Sequence, residues 1–299
     1  MYDSIIIGCG PAGITAAIYL LRANKKVLIL EKECIGGAIA SSPLVENYPG
    51  YKAISGAELT SNMFDQADDL GVDLELATVL DIQDLGDYKK VITNDITYDT
   101  KTVIIASGSK YRTLGLPNEE RLIGNGIYFC VACDGAFFKD KNVAIIGGGN
   151  SATINALSLA KIAKRVCIIQ NLDHLTSEET MQKELLKNSN VEIIYNAALT
   201  SYIGDDRLTG INYKKDNQEH ELNVDGIFLS IGLIPQNGFV KNLVNLDKSG
   251  YIISDDCKTN IDGIYVAGDA RIKNYRQVTT AVSDGTMAGL MAIEYLNKD

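Results

Sequence analysis

The chain is 299 residues long, 46% hydrophobic, with 5 prolines and a formal net charge of −10 at pH 7. That length sits where one core gives way to two, and the apolar content excludes disordered and collagen-like classes. The acidic balance argues against a nucleic-acid binder, which needs a basic face. No apolar run reaches the length of a membrane span, and no basic, apolar, then small-residue leader opens the chain, so no membrane is expected and a cytoplasmic setting is.

Residues 4–7 read as a short apolar strand. Gly8-Cys9-Gly10-Pro11-Ala12-Gly13 follows, then a helix over 12–23 and a strand over 27–30 closed by Glu31. Strand, glycine turn, helix, strand and acid is the order of a dinucleotide-binding unit. The glycines permit a tight turn and let the backbone approach a pyrophosphate, whose charge a helix N-terminus favours. Glu31 is the candidate acceptor for ribose hydroxyls.

Cys130-Val131-Ala132-Cys133-Asp134-Gly135 comes next. Two cysteines spaced by two residues can close a disulfide and reopen it. Asp134 is the titratable side chain inside the motif. It is a candidate acid–base partner for a leaving thiolate if burial raises its pKa; the alternative is a helix cap beside Gly135. Zinc would need a second cysteine pair or histidines at ligand spacing. The chain has 2 histidines, His174 and His220, both far from the pair, so no metal is expected. Cys9, Cys34, Cys167 and Cys257 are scattered and read as buried or incidental thiols.

The nucleotide pattern then returns. Residues 142–146 form a strand, Gly147, Gly149 and Ala152 give G-x-G-x-x-A, a helix spans 151–163 and a strand 165–169. Gln170 follows Gly147 at the interval that separates Glu31 from Gly8. Gly147, Gly149, Asn150, Ser151, Ala152 and Gln170 are the candidate contacts for a nicotinamide nucleotide, NADH or NADPH. Between Asn171 and Thr176 no Arg or Lys is available for a 2′-phosphate. Two missing charge-assisted hydrogen bonds would weaken NADPH by about a hundredfold. His174 reads as a solvated loop residue or a ribose contact, and His220 as surface. The basic residues Lys139, Lys141, Lys161, Lys164 and Arg165 read as solvated, or as a dock for an acidic protein.

With these pieces in view the chain resembles the low-molecular-weight thioredoxin reductase family over essentially its whole length. Further matching pieces are Gly36-Gly37, Glu46-Asn47-Tyr48-Pro49-Gly50, Ala106-Ser107-Gly108, Gly268-Asp269 and Arg276-Gln277-Val278-Thr279. The resemblance implies an α/β protein of two Rossmann-like, three-layer β/β/α domains, the second inserted into the first. Residues 1–112 and 239–299 would bind FAD; residues 113–238 would form the pyridine-nucleotide-like domain with the disulfide. The crossings, 114–117 and 232–238, contain the Gly and Pro of hinge-like linkers, and one domain would rotate against the other. FAD would be held by Gly8, Gly10, Pro11, Ala12, Gly13, Glu31, Gly36, Gly37, Ala106, Ser107, Gly108, Arg276 and Val278. Asp269 would hold the ribityl chain, Gln277 would border the flavin ring, and Asn47 would face it.

The resemblance further implies a homodimer and a thioredoxin or thioredoxin-like partner. It places Cys133 nearer the flavin and leaves Cys130 as the interchange thiol. The chain also departs from the family. Gln170-Asn171-Leu172 and Thr176 stand where the family has His-Arg-Arg and a further Arg, Ile154-Asn155 where it has paired acids, and Ala38 where it has Gln. The expected activity is thioredoxin-disulfide reduction from a nicotinamide donor through FAD. The alternatives are reduction by ferredoxin or a dithiol oxidase on the same scaffold, and a flavin redox sensor that does not turn over.

Overall fold

In the computed structural model, which describes residues 1–42 and 44–298, the chain divides into a unit of residues 1–110 with 234–299 and a unit of 111–233. In chain order the first part of the outer unit runs β1 (Tyr2–Ile7), α1 (Pro11–Arg22), β2 (Val27–Glu31), α2 (Gly56–Asp68), β3 (Asp73–Leu76), β4 (Val79–Asp84), β5 (Lys89–Thr93), β6 (Thr97–Ile105) and β7 (Ser109–Tyr111). The inserted unit follows with α3 (Glu119–Leu122), β8 (Ile127–Tyr128), α4 (Val131–Asp134), β9 (Asn142–Ile146), α5 (Asn150–Ala160), β10 (Arg165–Ile169), α6 (Glu179–Leu185) and β11 (Val191–Ile194). It continues through β12 (Ala197–Ile203), β13 (Gly210–Lys215), β14 (Gln218–Asn223), β15 (Gly226–Leu229) and β16 (Leu233–Pro235). The chain then returns to the outer unit for β17 (Ile264–Val266) and α7 (Val278–Leu296).

The outer unit is built on a seven-stranded sheet in the order β3-β2-β1-β6-β5-β4, with β17 added on β6. Ile5–Ile7 of β1 and Val27–Leu30 of β2 are unbroken apolar runs because both faces of this parallel part are covered, one by α1 and α7 and the other by side chains that include those of β4 and β5. β6 serves two neighbours on one edge: residues 97–100 pair with β5 and residues 103–105 with β17. The register sets Ile7 beside Ile105 and Ile105 beside Val266. The turns beginning at Gly8, Ala106 and Ala267 therefore leave the sheet at the same carboxyl end, where open α/β sheets bind ligands.

α1 starts with Pro11, whose missing N–H costs nothing at a helix start, and Asn24 at φ 57° ends it. Its buried face meets α7 at close range. A Cβ on Gly285 would lie 2.2 Å from the Ala12 carbonyl oxygen, and one on Gly289 would lie 3.2 Å from that of Ala16.

The inserted unit repeats the plan. Its five-stranded sheet, in the order β11-β10-β9-β15-β8, is parallel throughout. β12-β13-β14 form a separate antiparallel sheet. α5 ends at Ala160, short of the expected 163, because residues 161–163 turn back toward Lys141 and Ala163 is buried. The crossings expected at 112/113 and 238/239 fall at 110/111 and 233/234, and there β7 and β16 pair as a two-stranded ribbon. Just beyond the first crossing, the buried Glu119 carboxylate accepts the N–H groups of Leu114, Gly115 and Leu116 and the Tyr202 hydroxyl.

Candidate functional site

In the outer unit the sequence-assigned residues converge at the carboxyl end of β1, β6 and β17. Gly8, at φ 107°, leaves room for the Ala106 carbonyl oxygen, which a Cβ would approach to 2.4 Å. Gly13 is required by packing, since its Cβ would sit 2.0 Å from the Gly8 oxygen. Gly10 differs. Its φ is −85°, and the nearest protein atom to a Cβ would be 3.9 Å away. Neither strain nor packing demands glycine there, and the bare backbone leaves the space that a pyrophosphate needs at a fingerprint glycine. Gly36 donates its N–H to the Cys9 oxygen, which brings Gly37 against Gly10.

Glu31 is buried at the end of β2, where its two oxygens accept Cys9 N–H at 2.7 Å and Glu33 N–H at 2.8 Å. Ser107 Oγ donates to Asn237 Oδ1, while Asn237 Nδ2 donates to the oxygens of Gly250 and Ala270. This ties the Ala106–Gly108 turn to the Gly268–Ala270 turn. Asn47 Nδ2 donates to Gln277 Oε1 at 3.3 Å, joining two residues that the resemblance had set around one flavin ring. Gln277 and Thr280 complete a capping box at the start of α7, beside Val278.

Two buried polar atoms at this site have no hydrogen-bond partner among the described residues: Asp269 Oδ1 and Arg276 Nε. Burial holds the Asp269 carboxyl above its ordinary range, against the pull of Lys273 and Arg276. Arg276 lies over the Tyr251 ring, 4.4 Å from its centroid. A buried unmet acceptor is costly and calls for a donor such as a sugar-chain hydroxyl.

Sequence reasoning missed Asp284, Arg271 and Lys273. Asp284, 8% exposed on α7, holds Arg271 Nη1 at 3.1 Å and Lys273 Nζ at 2.8 Å, and accepts the Gly268 N–H at 3.1 Å. The signal was present in the sequence: an acid in the middle of an apolar helix, with two cations shortly before it.

In the inserted unit Cys130 and Cys133 are joined as a disulfide with Cα atoms 5.2 Å apart. Cys130 precedes α4, and its carbonyl accepts the N–H groups of Cys133 and Asp134. Both cysteines are half-buried, and Asp134 is buried at 8% exposure. Burial pushes the Asp134 carboxyl up to about 6. Its side chain makes no cap hydrogen bond to the turn at Gly135, so the capping alternative does not hold. Cys9, Cys167 and Cys257 are buried, their thiols pushed up to about 12, 12 and 11 by desolvation; Cys34 is exposed.

The second fingerprint matches the first in geometry. Gly147 has φ 122°, with the Ser230 oxygen 2.5 Å from where a Cβ would be. Gly149, like Gly10, has an extended backbone, and its nearest neighbour to a Cβ, Thr176 Oγ1, is at 3.7 Å. Asn150 exchanges hydrogen bonds with Glu178, while Ser151 and Ala152 lie in the first turn of α5. Gln170 is 4% exposed at the end of β10. His174 is exposed and paired with Asp173 at 2.6 Å, whereas His220 is half-buried and stacked on Tyr213. No group of three or more metal-ligating side chains forms among the described residues, and no helix is long and apolar enough to cross a membrane.

A family profile described as pyridine nucleotide-disulphide oxidoreductase matches residues 2–285. A 34.2 kDa protein in the rubredoxin operon of Clostridium pasteurianum is 43% identical, over 98% of this chain and 97% of that protein. Thioredoxin reductase of Listeria monocytogenes is 37% identical, over 100% of this chain and 95% of the relative. The solved thioredoxin reductase of Streptococcus pyogenes matches with a TM-score of 0.95 at 40% identity, over 100% of this chain and 99% of that one. The chain belongs to the pyridine nucleotide-disulphide oxidoreductase family and, within it, to the low-molecular-weight thioredoxin reductases.

Proposed function

We propose that the chain is a flavin-dependent thioredoxin-disulfide reductase, driven by a reduced nicotinamide nucleotide and acting on thioredoxin or a similar small protein. The observation that carries this reading is the Cys130–Cys133 disulfide with buried Asp134 directly beside it in sequence, in a unit that also holds a nucleotide fingerprint. The outer unit supports FAD as the cofactor. Its glycine turn leaves room for a pyrophosphate at Gly10, Glu31 is fixed at the end of β2 where it can accept ribose hydroxyls, and Asp269 Oδ1 and Arg276 Nε offer unmet hydrogen-bonding groups. Bound FAD would supply two-electron transfer between the donor and the disulfide.

Once reduced, the pair works by thiol–disulfide exchange. The Cys130 thiolate attacks a partner sulfur, a mixed disulfide forms, and one partner thiolate leaves. Cys133 then attacks Cys130, re-forms the disulfide and releases the second partner thiolate. Asp134, protonated below about pH 6, can give a proton to a leaving thiolate. A working dithiol needs a reducing compartment, which favours the cytoplasm.

The test is Cys133→Ser. This variant should bleach its flavin with donor as the parent does, yet reduce no thioredoxin. Loss of flavin bleaching as well would sink the proposed electron order.

A further inference from the structure

We infer that the nucleotide site of the inserted unit takes NADH in preference to NADPH; the inference rests on the nicotinamide-driven reading above. Gln170 and Glu31 hold the same place in the two fingerprints, at the end of the second strand. Glu31 presents a carboxylate fixed by two backbone N–H groups. The Gln170 carboxamide instead lies flat on Gly148, where a Cβ would come within 2.5 Å of its Cδ, and Nε2 donates to the His174 oxygen at 3.0 Å. The wall on the ribose side is therefore neutral. It can bond a ribose hydroxyl and offers no cation to a phosphate dianion.

The loop after Gln170 is fastened in place. Thr176 N–H bonds the Gly148 oxygen at 2.8 Å, and Ser177 Oγ meets Thr153 Oγ1 at 2.8 Å. Glu178 N–H bonds Asn150 Oδ1 at 2.9 Å. Its charged side chains are Asp173, taken up by His174, and Glu178. The next cation along the chain, Lys183, faces Glu179 at 3.7 Å.

No other segment at this end of the sheet makes up the deficit. Residues 129–138 after β8, 147–160 after β9, 170–182 after β10, 195–200 after β11 and 230–232 after β15 contain no Lys or Arg. A 2′-phosphate would bring a charge of roughly −1.5 to −2 into this rim. It would meet the carboxylates of Asp173 and Glu178, the His174 imidazole already engaged by Asp173, and uncharged side chains, with no Lys or Arg among them. The pyrophosphate shared by both nucleotides needs no cation, because backbone N–H groups at the start of α5 can meet it.

The experiment is equilibrium titration of the flavin-loaded, oxidised protein with NAD⁺ and, separately, NADP⁺, which reads binding without turnover. NAD⁺ should bind tighter by on the order of a hundredfold, the worth of two charge-assisted hydrogen bonds. Equal or tighter binding of NADP⁺ overturns the inference and leaves the nicotinamide-driven reading standing. Binding of neither nucleotide overturns both, and bleaching of the flavin by reduced ferredoxin would then identify a protein donor. As a second arm, Asn171→Arg with Leu172→Arg, both at exposed positions, should shift the preference toward NADP⁺ by at least roughly tenfold. No shift would overturn the assignment of this loop as the wall that meets the 2′ position.

Discussion

Asp284 on α7 accepts the backbone N–H of Gly268 at 3.1 Å, so a helix in the last part of the chain fixes the turn that presents Asp269. The same carboxylate neutralises Arg271 and Lys273, both largely buried. Truncating it would leave two cations and a backbone donor unmet. Asp284→Ala is expected to destabilise the flavin-free protein by about 3–5 kcal/mol, the cost of breaking a buried ion pair. It should also lower flavin occupancy at purification. Asp284→Asn keeps an acceptor for Gly268 and should fall between the two. Denaturant unfolding and flavin absorbance read the pair of effects; an Ala variant as stable and as yellow as the parent would remove Asp284 from the site.

Asp134 gives a pH dependence whose sign is fixed by burial. Its carboxyl is pushed up to about 6 in the fold, above the unfolded value. The protonated form is therefore favoured on folding, and the associated stability is full below about pH 4 and lost as pH rises through about 6. Asp134→Asn should abolish this slope, leaving the variant more stable than the parent at pH 8 and nearer to it at pH 4. Thioredoxin reduction should be slower in the variant. Thermal unfolding across pH 4–8 checks the first outcome, and parallel curves for the two proteins would contradict it.

Glu119 fastens the first crossing segment to the inserted unit. Its carboxylate collects three successive N–H groups and a tyrosine hydroxyl while only 4% exposed. The Tyr202 hydroxyl is a buried donor, which costs about 1–3 kcal/mol when left unmet, whereas water can reach the N–H groups of the exposed Leu114 and Gly115. Glu119→Ala should lower stability by about 1–3 kcal/mol on that scale. It should also open residues 112–118 to limited proteolysis, with a cut mapped by mass spectrometry. A variant resistant to cleavage would show that the segment is held by other contacts.

Gly10 and Gly13 sit in one motif for different reasons, and alanine separates them. Gly13→Ala drives a Cβ to 2.0 Å from the Gly8 oxygen and should damage the fold with or without flavin. Gly10→Ala has space and an ordinary φ, so the flavin-free protein should unfold as the parent does, while flavin affinity falls. Equal flavin affinity in Gly10→Ala would show that nothing approaches that backbone.

The repeated unit was legible because each piece of it is local. An apolar strand, a glycine turn and a helix with alanines on its buried face are written in consecutive residues, as at 4–23 and 142–160. The cysteine pair was legible for the same reason. The Gly268 N–H contact of Asp284 and the partners of Asn237 were not, since each joins residues across a turn or between distant strands. The crossings were placed a few residues late, because Gly and Pro mark where a chain can bend, while the boundary is set by where contacts stop.

By itself the sequence determined the two nucleotide-binding folds, the disulfide motif and the lack of cations after Gln170, all properties of residue order. Only the tertiary structure decided that β17 joins β6 beyond β5 and brings Asp269 to the Gly8 turn, that Asn47 meets Gln277, and that Asp134 is buried enough to hold its proton near pH 6. These depend on which distant segments share an edge or exclude water from one another, and strand register and burial exist only once the whole sheet has formed.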